Sequence, residues 1–349
     1  RKGESRLTQR EMDLARSVQE VTEEIMLRMT RHVYKETGQK NLVLAGGVAL
    51  NCVGNGKVLR EGPFKNIWIQ PAAGDAGGAL GAALAAYHLF RNQPRKRVHD
   101  LDAMNGGYLG PAFTQSEIEA RLRAVGAKFT VHSEARLIDA CAAAVAEGQA
   151  LGWFQGRMEF GPRALGGRSI IADARSPGMQ SKLNHKIKYR ESFRPFAPSV
   201  LREDCAQWFE LDIDSPYMLL VADVVKSRQR KMTDEEEKLF GIAKLNVPRS
   251  EIPAVTHVDQ SARIQTVHRE TNPRYHALIS AFKARTNCPV LVNTSFNVRG
   301  EPIVATPEDA FRCFMGTEIE VLAVGDCLML KEDQDQTLKQ SYKDGFELD

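Results

Sequence analysis

The sequence is poor in cysteine, and its six cysteines are placed neither as a disulfide framework nor as a zinc site. No two of them form a Cys-x-x-Cys pair, and none lies in a short cysteine–histidine grouping. They are Cys52, Cys141, Cys205, Cys288, Cys313 and Cys327. Because scattered thiols are typical of reducing compartments, we expect a cytoplasmic protein.

The sequence also lacks long apolar runs and a strong charge of either sign. It contains no stretch of eighteen apolar residues, so no membrane span is predicted. Lys and Arg number 47 against 44 Asp and Glu, which gives a formal net charge of +3 over 349 residues. Such a balance is no general argument for binding nucleic acid or membranes, so only local clusters can indicate function. The length predicts two domains.

Residues 1–95 are predicted to form a first α/β unit. A long amphipathic helix over 9–37 is indicated by Thr8 and Glu11 at capping-box spacing and by Gly38 at its end. Its apolar residues recur at spacings of three and four, and they are Leu14, Val18, Val21, Ile25, Met29 and Val33. Two strands follow, a buried one over 41–45 and another over 66–70, and each leads through a glycine-bearing turn into a helix. This alternation is typical of a layered α/β fold.

The polar segment 96–109 is predicted to be a linker, residues 110–335 a second α/β domain, and 336–349 a tail. Within the second domain the sequence predicts strands over 129–132, 151–155, 217–225, 289–293 and 321–331. It predicts helices over 115–124, 137–147, 179–188, 273–285 and 307–316.

The strongest functional signal is a basic, glycine-rich block between Arg157 and Arg194. Over that range it holds nine Lys and Arg against three Asp and Glu, and its characteristic stretches are 154–157, 161–169 and 184–196. Glycine lets backbone N–H groups approach an anion, and arginine binds phosphate oxygens bidentately. A solvated basic face is the alternative, but such a face needs no interleaved glycine, proline and aromatic residues. The block therefore predicts a phosphate pocket.

Two further stretches carry candidate ligands for such a pocket. An apolar strand ends in Asn293-Thr294-Ser295, at the strand end where open α/β sheets place ligands. A polar turn that caps the strand is the competing interpretation. The strand-like stretch 261–267 offers Arg263, which is a weak signal by itself.

The first unit offers a candidate nucleotide turn. Gly46, Gly47 and Asn51 follow a strand and open a helix, where backbone N–H groups can approach phosphates. A glycine pair is also common for packing reasons. Asp75 lies at the next strand–helix junction as a candidate metal carboxylate, and capping of the following helix is its alternative role.

Together these motifs resemble the nodulation and antibiotic ATP-dependent O-carbamoyltransferases over nearly the whole chain. The blocks 154–169 and 184–196 and the turn 293–297 look like that family's YrdC-like carboxy-terminal domain, an α/β domain with a twisted mixed sheet. The Gly46–Asn51 turn and Asp75 look like the second half of its actin-like (ASKHA) ATPase domain.

The resemblance implies that carbamoyl phosphate and ATP yield a carbamoyl-adenylate, whose carbamoyl group passes to a hydroxyl of a small-molecule acceptor. It implies a carbamoyl phosphate site, a nucleotide turn of Gly46, Gly47 and Asn51, and a metal ligand in Asp75. The carbamoyl phosphate site would comprise Arg163, Lys188, Arg194, Arg263, Asn293 and Ser295.

The sequence departs from that family in the metal site. The family's first actin-like subdomain, with a His-x-x-x-His pair, is absent, and no two of the eight histidines here lie four apart. We therefore expect the carboxy-terminal portion of a longer enzyme that uses iron or magnesium when complete but retains no metal in this chain.

Two other functions stay open at this stage. YrdC-like folds also occur in RNA-binding and tRNA-modification proteins, which need a broad basic surface rather than compact words. A sugar or acetate kinase of the actin-like superfamily would leave the second domain unexplained. We expect small-molecule partners, no membrane and no nucleic acid, and the sequence leaves a homodimer open.

Overall fold

The structure, a computed structural model, describes residues 7–96 and 102–339. Its first unit, residues 7–96, contains a parallel two-stranded sheet in which Asn41 lies opposite Asn66. Its elements are α1 (Gln9–Thr37), β1 (Asn41–Leu44), α2 (Cys52–Glu61), β2 (Asn66–Ile69) and α3 (Asp75–Ala85), with a π-helical turn over Ala86–Phe90.

The predicted long helix is confirmed, together with both of its ends. The backbone N–H of Thr8 donates to Glu11 Oε2 at 2.7 Å, and Gly38 closes α1 in the left-handed conformation with φ 62°. The apolar stripe of this helix is nevertheless exposed: its six residues keep 42–66% of their surface. The side of α1 that packs inward carries Met26, Leu27 and Thr30 instead.

The expectation that the strand over 41–45 is buried is wrong. Leu42 is buried, but its neighbour Val43 is 65% exposed. Successive side chains of a strand point to opposite faces, and only one face of β1 is covered among the described residues. An apolar run without alternation is typical of strands covered on both faces, which explains the prediction.

The second unit, residues 102–339, is built on a mixed sheet. Among the described residues the sheet has nine strands in the order β3-β11-β10-β4-β5-β9-β6-β8-β7. The pairs β4–β10 and β6–β8 are parallel, and the other neighbours are antiparallel. The strands are β3 (Thr130–Val131), β4 (Leu151–Phe154), β5 (Arg168–Asp173), β6 (Ala197–Leu201), β7 (Leu220–Asp223), β8 (Ser261–Val267), β9 (Val290–Ser295), β10 (Val321–Val324) and β11 (Cys327–Leu330).

Helices cover this sheet and complete the core. They are α4 (Gln115–Ala124), α5 (Glu134–Ala146), α6 (Met179–Lys182), α7 (Asp234–Glu237), α8 (Ile242–Leu245), α9 (Pro273–Thr286) and α10 (Pro307–Gly316). The helices α5 and α9 share one apolar core with the central strands. No helix in the described part of the chain is long and apolar enough to cross a membrane.

One strand prediction for the second unit is wrong, and two of its strands were not predicted. The run 321–331 is not one strand but the hairpin β10–β11, because the chain reverses at Gly325, whose φ is 54°. The strands β5 and β6 were not predicted, although both are buried along their whole length. They lie within or beside the basic block, where polar and glycine residues interrupt the apolar runs that predict buried strands.

The two units are docked directly through apolar and polar contacts. Ala49, Ile69 and Ala73 of the first unit share an apolar cluster with Leu219 and Leu220 of the second. The buried Asn55 donates from Nδ2 to the carbonyl oxygens of Ala49 at 2.8 Å and Leu219 at 3.0 Å. The start of α2 is therefore held against β7.

Candidate functional site

All six residues predicted for the anion site line two adjoining pockets of the second unit. The first, named here the Arg263 pocket, has a volume of about 110 Å³ and is lined by Arg163, Arg190, Arg263, Asn293, Thr294 and Ser295, among others. The second, the Lys188 pocket, has about 240 Å³ and is lined by Lys188, Arg190, Arg194, Ser295, Asn297, Arg299 and Glu301, among others. Arg190 and Ser295 line both pockets, so the two are contiguous.

Neighbouring strands bring these side chains together. Asn293 and Ser295 occupy alternate positions of β9 and therefore share one face of the sheet. Ala197 of β6 lies opposite Asn293, and β6 pairs on its other side with β8, which carries Arg263. The pocket thus lies over three adjacent strands that are distant in sequence.

Arg163 reaches the pocket from a loop that is folded around a buried carboxylate. Glu159, only 6% exposed, accepts at Oε1 from the backbone N–H groups of Leu165 at 2.6 Å and Gly167 at 2.7 Å. A Cβ at Gly167 would lie 3.2 Å from that carboxyl group, so the lack of a side chain permits its close approach. Glu159 was not predicted as part of the site. Its contribution is to fix the Arg163 loop.

The Arg263 pocket concentrates positive charge. Among the described residues, no ion pair with a carboxylate involves Arg163 or Arg263, and Arg163 Nε is buried without a hydrogen-bond partner. Burial lowers the pKa of Arg163, and burial together with the nearby Arg163 charge lowers the pKa of Arg263 to about 10. The thiol of Cys52, at the start of α2 in the first unit, lies near both guanidinium groups. A bound anion would relieve the repulsion between the two guanidinium groups.

Lys188 is almost fully buried, and protein oxygens surround its amino group. Its Nζ donates to the carbonyl oxygen of Ser295, to Ser295 Oγ at 3.2 Å, and to the carbonyl oxygen and Oδ1 of Asn297 at 2.9 and 2.7 Å. Burial, with the Arg190 charge as the next cause, lowers its pKa to about 7. Lys188 therefore orients the turn 295–297 and supplies a charge that is easily lost.

Three further residues line the pockets and lie within 184–196 or 293–297, or just after them, but were not predicted as site residues. Arg190 lies over the ring of Phe196 at 4.8 Å, and burial lowers its pKa to about 10. Asn297 accepts from Lys188, and Arg299 lies 3.8 Å from Glu191. Their residue types fit an anion site, so the signal was present. The predicted Arg194 is the most exposed cation here, with 41% of its side chain accessible and its Nε 3.0 Å from Glu191.

Asn293 is held by a buried polar network. Its Nδ2 donates to Ser199 Oγ at 3.1 Å and to Gln265 Oε1 at 2.8 Å. Gln265 in turn donates from Nε2 to the carbonyl oxygen of Leu165 at 2.7 Å, in the Arg163 loop. The Oδ1 atom of Asn293 is buried and has no hydrogen-bond partner.

The glycine turn of the first unit is open. The backbone N–H of Gly46 donates to the carbonyl oxygen of Ala73 at 2.8 Å, so the two strand-end turns lie side by side. A Cβ at Gly46, Gly47 or Gly74 would meet no atom within 4 Å, which leaves space for a ligand against the backbone. Asn51 caps α2 by accepting from Gly54 N at 3.0 Å. A role for this turn in nucleotide binding stays a prediction.

Asp75 is exposed and occupies the first position of α3, after the N-cap residue Gly74. In the part of the chain that the structure describes, no group of three or more His, Cys, Asp or Glu side chains could hold a metal ion. One exposed carboxylate does not fit a complete metal site. The role of Asp75 as a metal ligand therefore stays a prediction.

The chain matches two family models, described as carbamoyltransferase C-terminus over residues 142–331 and carbamoyltransferase N-terminus over residues 2–84. An uncharacterized protein of Synechocystis sp. is 61% identical, over 100% of this chain and 57% of its own length. Nodulation protein NolO of Bradyrhizobium diazoefficiens is 43% identical, over 93% and 55% respectively. The 3'-hydroxymethylcephem-O-carbamoyltransferase of Streptomyces clavuligerus is 34% identical, over 82% and 48%. The chain thus spans about half the length of these relatives.

Proposed function

The chain belongs to the carbamoyltransferase family of the nodulation and antibiotic type, and on this basis we propose that it activates carbamoyl phosphate with ATP for transfer to a hydroxyl group. The resemblance inferred from the motifs is confirmed at the level of the family. The chemistry of this chain, its ligands and the roles of its site residues are the proposal.

One observation carries the proposal. Two arginines, Arg163 and Arg263, line one small pocket, and within the described residues neither forms an ion pair with a carboxylate. Partly buried charges that lack a counter-ion are costly, and a phosphate group is the ligand that two guanidinium groups fit best. We place the phosphate of carbamoyl phosphate between them.

The residues on this site would act by electrostatics. As the carbamoyl group leaves phosphate, negative charge grows on the phosphate oxygens, and the arginines stabilise it. The small pocket also keeps out bulk water, which would hydrolyse the carbamoyl-adenylate before its transfer. Lys188 and Arg190 line the adjoining pocket, where we place the phosphates of ATP. One water molecule cleaves carbamoyl phosphate into carbamate and phosphate. A carbamate oxygen then attacks the α-phosphorus of ATP, so that pyrophosphate leaves, and the resulting carbamoyl-adenylate carries the carbamoyl group to the acceptor.

The first unit would serve the nucleotide-dependent transfer step. Its parallel strands with glycine turns at their carboxyl ends support an actin-like fold, and the mixed sheet of the second unit supports a YrdC-like one. Gly46, Gly47 and Asn51 would approach the nucleotide. Because Asp75 alone does not fit a metal site, no step is assigned to a metal here.

The structure favours this function over RNA binding. An RNA-binding surface presents cations and aromatic rings on an accessible face. Here Lys188 is 3% exposed, and Arg163 and Arg263 line a pocket of only about 110 Å³. That volume suits a small anion.

Ligand-dependent stability tests the proposal. Carbamoyl phosphate and inorganic phosphate should each raise the melting temperature in a saturable way. Arg263→Met should weaken phosphate binding by about tenfold to a hundredfold, because it removes a charge-assisted hydrogen bond. The same variant should melt no lower than the wild type without ligand, since it removes a partly buried charge without a carboxylate partner.

The matched control is Arg285→Met, which removes an arginine of α9 that pairs with Asp139 and lines neither pocket. It should leave phosphate affinity unchanged. An absent shift in the wild type, or equal losses in both variants, would contradict the proposed anion site.

A further inference from the structure

We propose that Asn293 Oδ1 accepts a hydrogen bond from the amino group of bound carbamoyl phosphate, and that this contact selects the carbamoyl group over an acetyl group of the same shape. The inference rests on the proposed function, because it takes the ligand's phosphate to lie at Arg163 and Arg263.

The orientation of the Asn293 amide follows from its network. The carbonyl oxygen of Leu165 can only accept, so the Gln265 group beside it, at 2.7 Å, is the donating Nε2. The other end of that amide, Oε1, is then an acceptor. Asn293 must present its NH₂ group to Gln265 Oε1 at 2.8 Å, and its Oδ1 is the atom left over.

That leftover oxygen is an acceptor without a donor. Asn293 is 1% exposed and lines the Arg263 pocket, and its Oδ1 is buried without a hydrogen-bond partner. Burying such an acceptor unpaired is unfavourable, and native proteins usually pair it with a protein or ligand donor. A ligand N–H group in this pocket would supply the missing partner.

Carbamoyl phosphate can donate a hydrogen bond to Asn293 Oδ1 only from its carbamoyl end. The phosphate of carbamoyl phosphate offers acceptors to the two arginines, whereas its carbamoyl NH₂ is its only donor group. Acetyl phosphate has nearly the same shape but presents a methyl group there, which would leave Oδ1 unpaired. A site with a buried polar group rejects a ligand that lacks the matching group more strongly than one that differs in size.

Two stable phosphonates test the inference in the wild-type protein. Phosphonoacetamide and 2-oxopropylphosphonate resist hydrolysis and differ only by NH₂ against CH₃, and inorganic phosphate reports on the arginines alone. Calorimetric titration should show phosphonoacetamide binding about tenfold to a hundredfold more tightly than the ketone. Equal affinities for the two phosphonates, with phosphate still bound, would overturn the role of Asn293 and leave the anion site standing. Failure of all three ligands to bind would overturn the anion site itself.

Variants then assign the preference to one atom. Asn293→Ala should bring the ratio of the two phosphonate affinities close to one while phosphate affinity stays near that of the wild type. Ser199→Ala removes a fully buried member of the same network that does not line the pocket, so it should keep the ratio. Asn293→Ser, which leaves a hydroxyl too short to replace Oδ1, is the second variant should Asn293→Ala not fold. Retention of the wild-type ratio in a folded Asn293 variant would refute the proposal.

Discussion

Lys188 carries the charge in the site that pH can remove most easily. Its pKa is lowered to about 7 by burial, and the positive charge of Arg190 adds to this effect. The ammonium form therefore exists mainly below that pH in the ligand-free protein, and a bound anion favours it. As the pH rises from 7 towards 9, Lys188 loses its proton, and the Lys188 pocket loses one unit of positive charge.

Sulfate is a suitable probe of this titration because its own charge does not change over that range. We expect its affinity to fall by about tenfold between pH 6 and pH 9, as one charge-assisted contact is lost. Lys188→Met should bind sulfate weakly at all pH values, with a flat profile. The control Lys182→Met removes a lysine that pairs with Glu320 outside both pockets and should keep the slope. A flat wild-type profile would contradict the role of Lys188.

At the scale of single residues, the sequence indicates the cationic side chains of the proposed site better than the polar residues that hold them in place. Arg163 could be proposed from the sequence because a cation among glycines fits few other roles, and Lys188 and Arg263 could be proposed from the family resemblance. Glu159 and Gln265 could not, because each acts through backbone groups that only the folded loop brings within reach. A carboxylate in a basic block has the pattern of an ordinary ion-pair partner, and nothing local distinguishes it from one that organises a loop.

At the scale of elements, the helix α1 combines a correct sequence prediction with an unexpected environment. Its period, cap and end all follow from local chemistry, and the structure confirms them. Which face packs inward depends on the neighbours. Here Met26 and Leu27 contact the first unit's core, whereas Val18 and Val21 are 66% and 58% exposed. Exposed apolar patches of this kind are typical of interaction surfaces.

The exposure of this stripe predicts how substitutions on α1 affect stability. Val18→Lys and Val21→Lys should each change the free energy of unfolding by less than about 0.5 kcal/mol, because lysine is a good helix former and no contact is lost. Leu27→Ala on the packed face, at a residue 2% exposed, should cost about 2–4 kcal/mol. Urea unfolding measures both. A loss at Val18 as large as that at Leu27 would show that the stripe is covered in solution.

Strand prediction failed in the part of the sequence that carries the proposed anion site. The strands β5 and β6 are fully buried and central in the sheet, yet β5 begins with Arg168 and β6 carries Pro198 and Ser199. Arg168 is accommodated because its guanidinium lies 3.5 Å from the ring centre of Phe154 and donates to the carbonyl oxygens of Gln155, Gly156 and Gly167. Such compensation depends on tertiary contacts, so a local pattern does not reveal it.

At the scale of the whole molecule, the proposed anion site lies beside the junction of the two units. The loop that carries Arg163 packs against the first unit, since a Cβ at Gly161 would lie 2.9 Å from the carbonyl oxygen of Pro71. Cys52, at the start of α2 in the first unit, lies near Arg263 of the second unit. Separate sequence domains therefore meet at the proposed ligand. The sequence predicts two domains but does not predict this contact between them, because the contact depends on how the units dock.

The accessible thiol of Cys52 offers a way to follow ligand binding in the unlabelled protein. Five of the six thiols are buried, and Cys52 alone is partly accessible, at the start of α2. An aromatic disulfide reagent should therefore release about one equivalent of chromophore from the native chain, and all six only after denaturation. Sulfate that occupies the Arg263 pocket should slow this release, because it neutralises positive charge that attracts an anionic reagent and blocks the approach of that reagent. Cys52→Ser should abolish the fast phase, and a rate indifferent to sulfate would separate the thiol from the pocket. Occupancy of a colourless ligand could then be followed by absorbance, without a label.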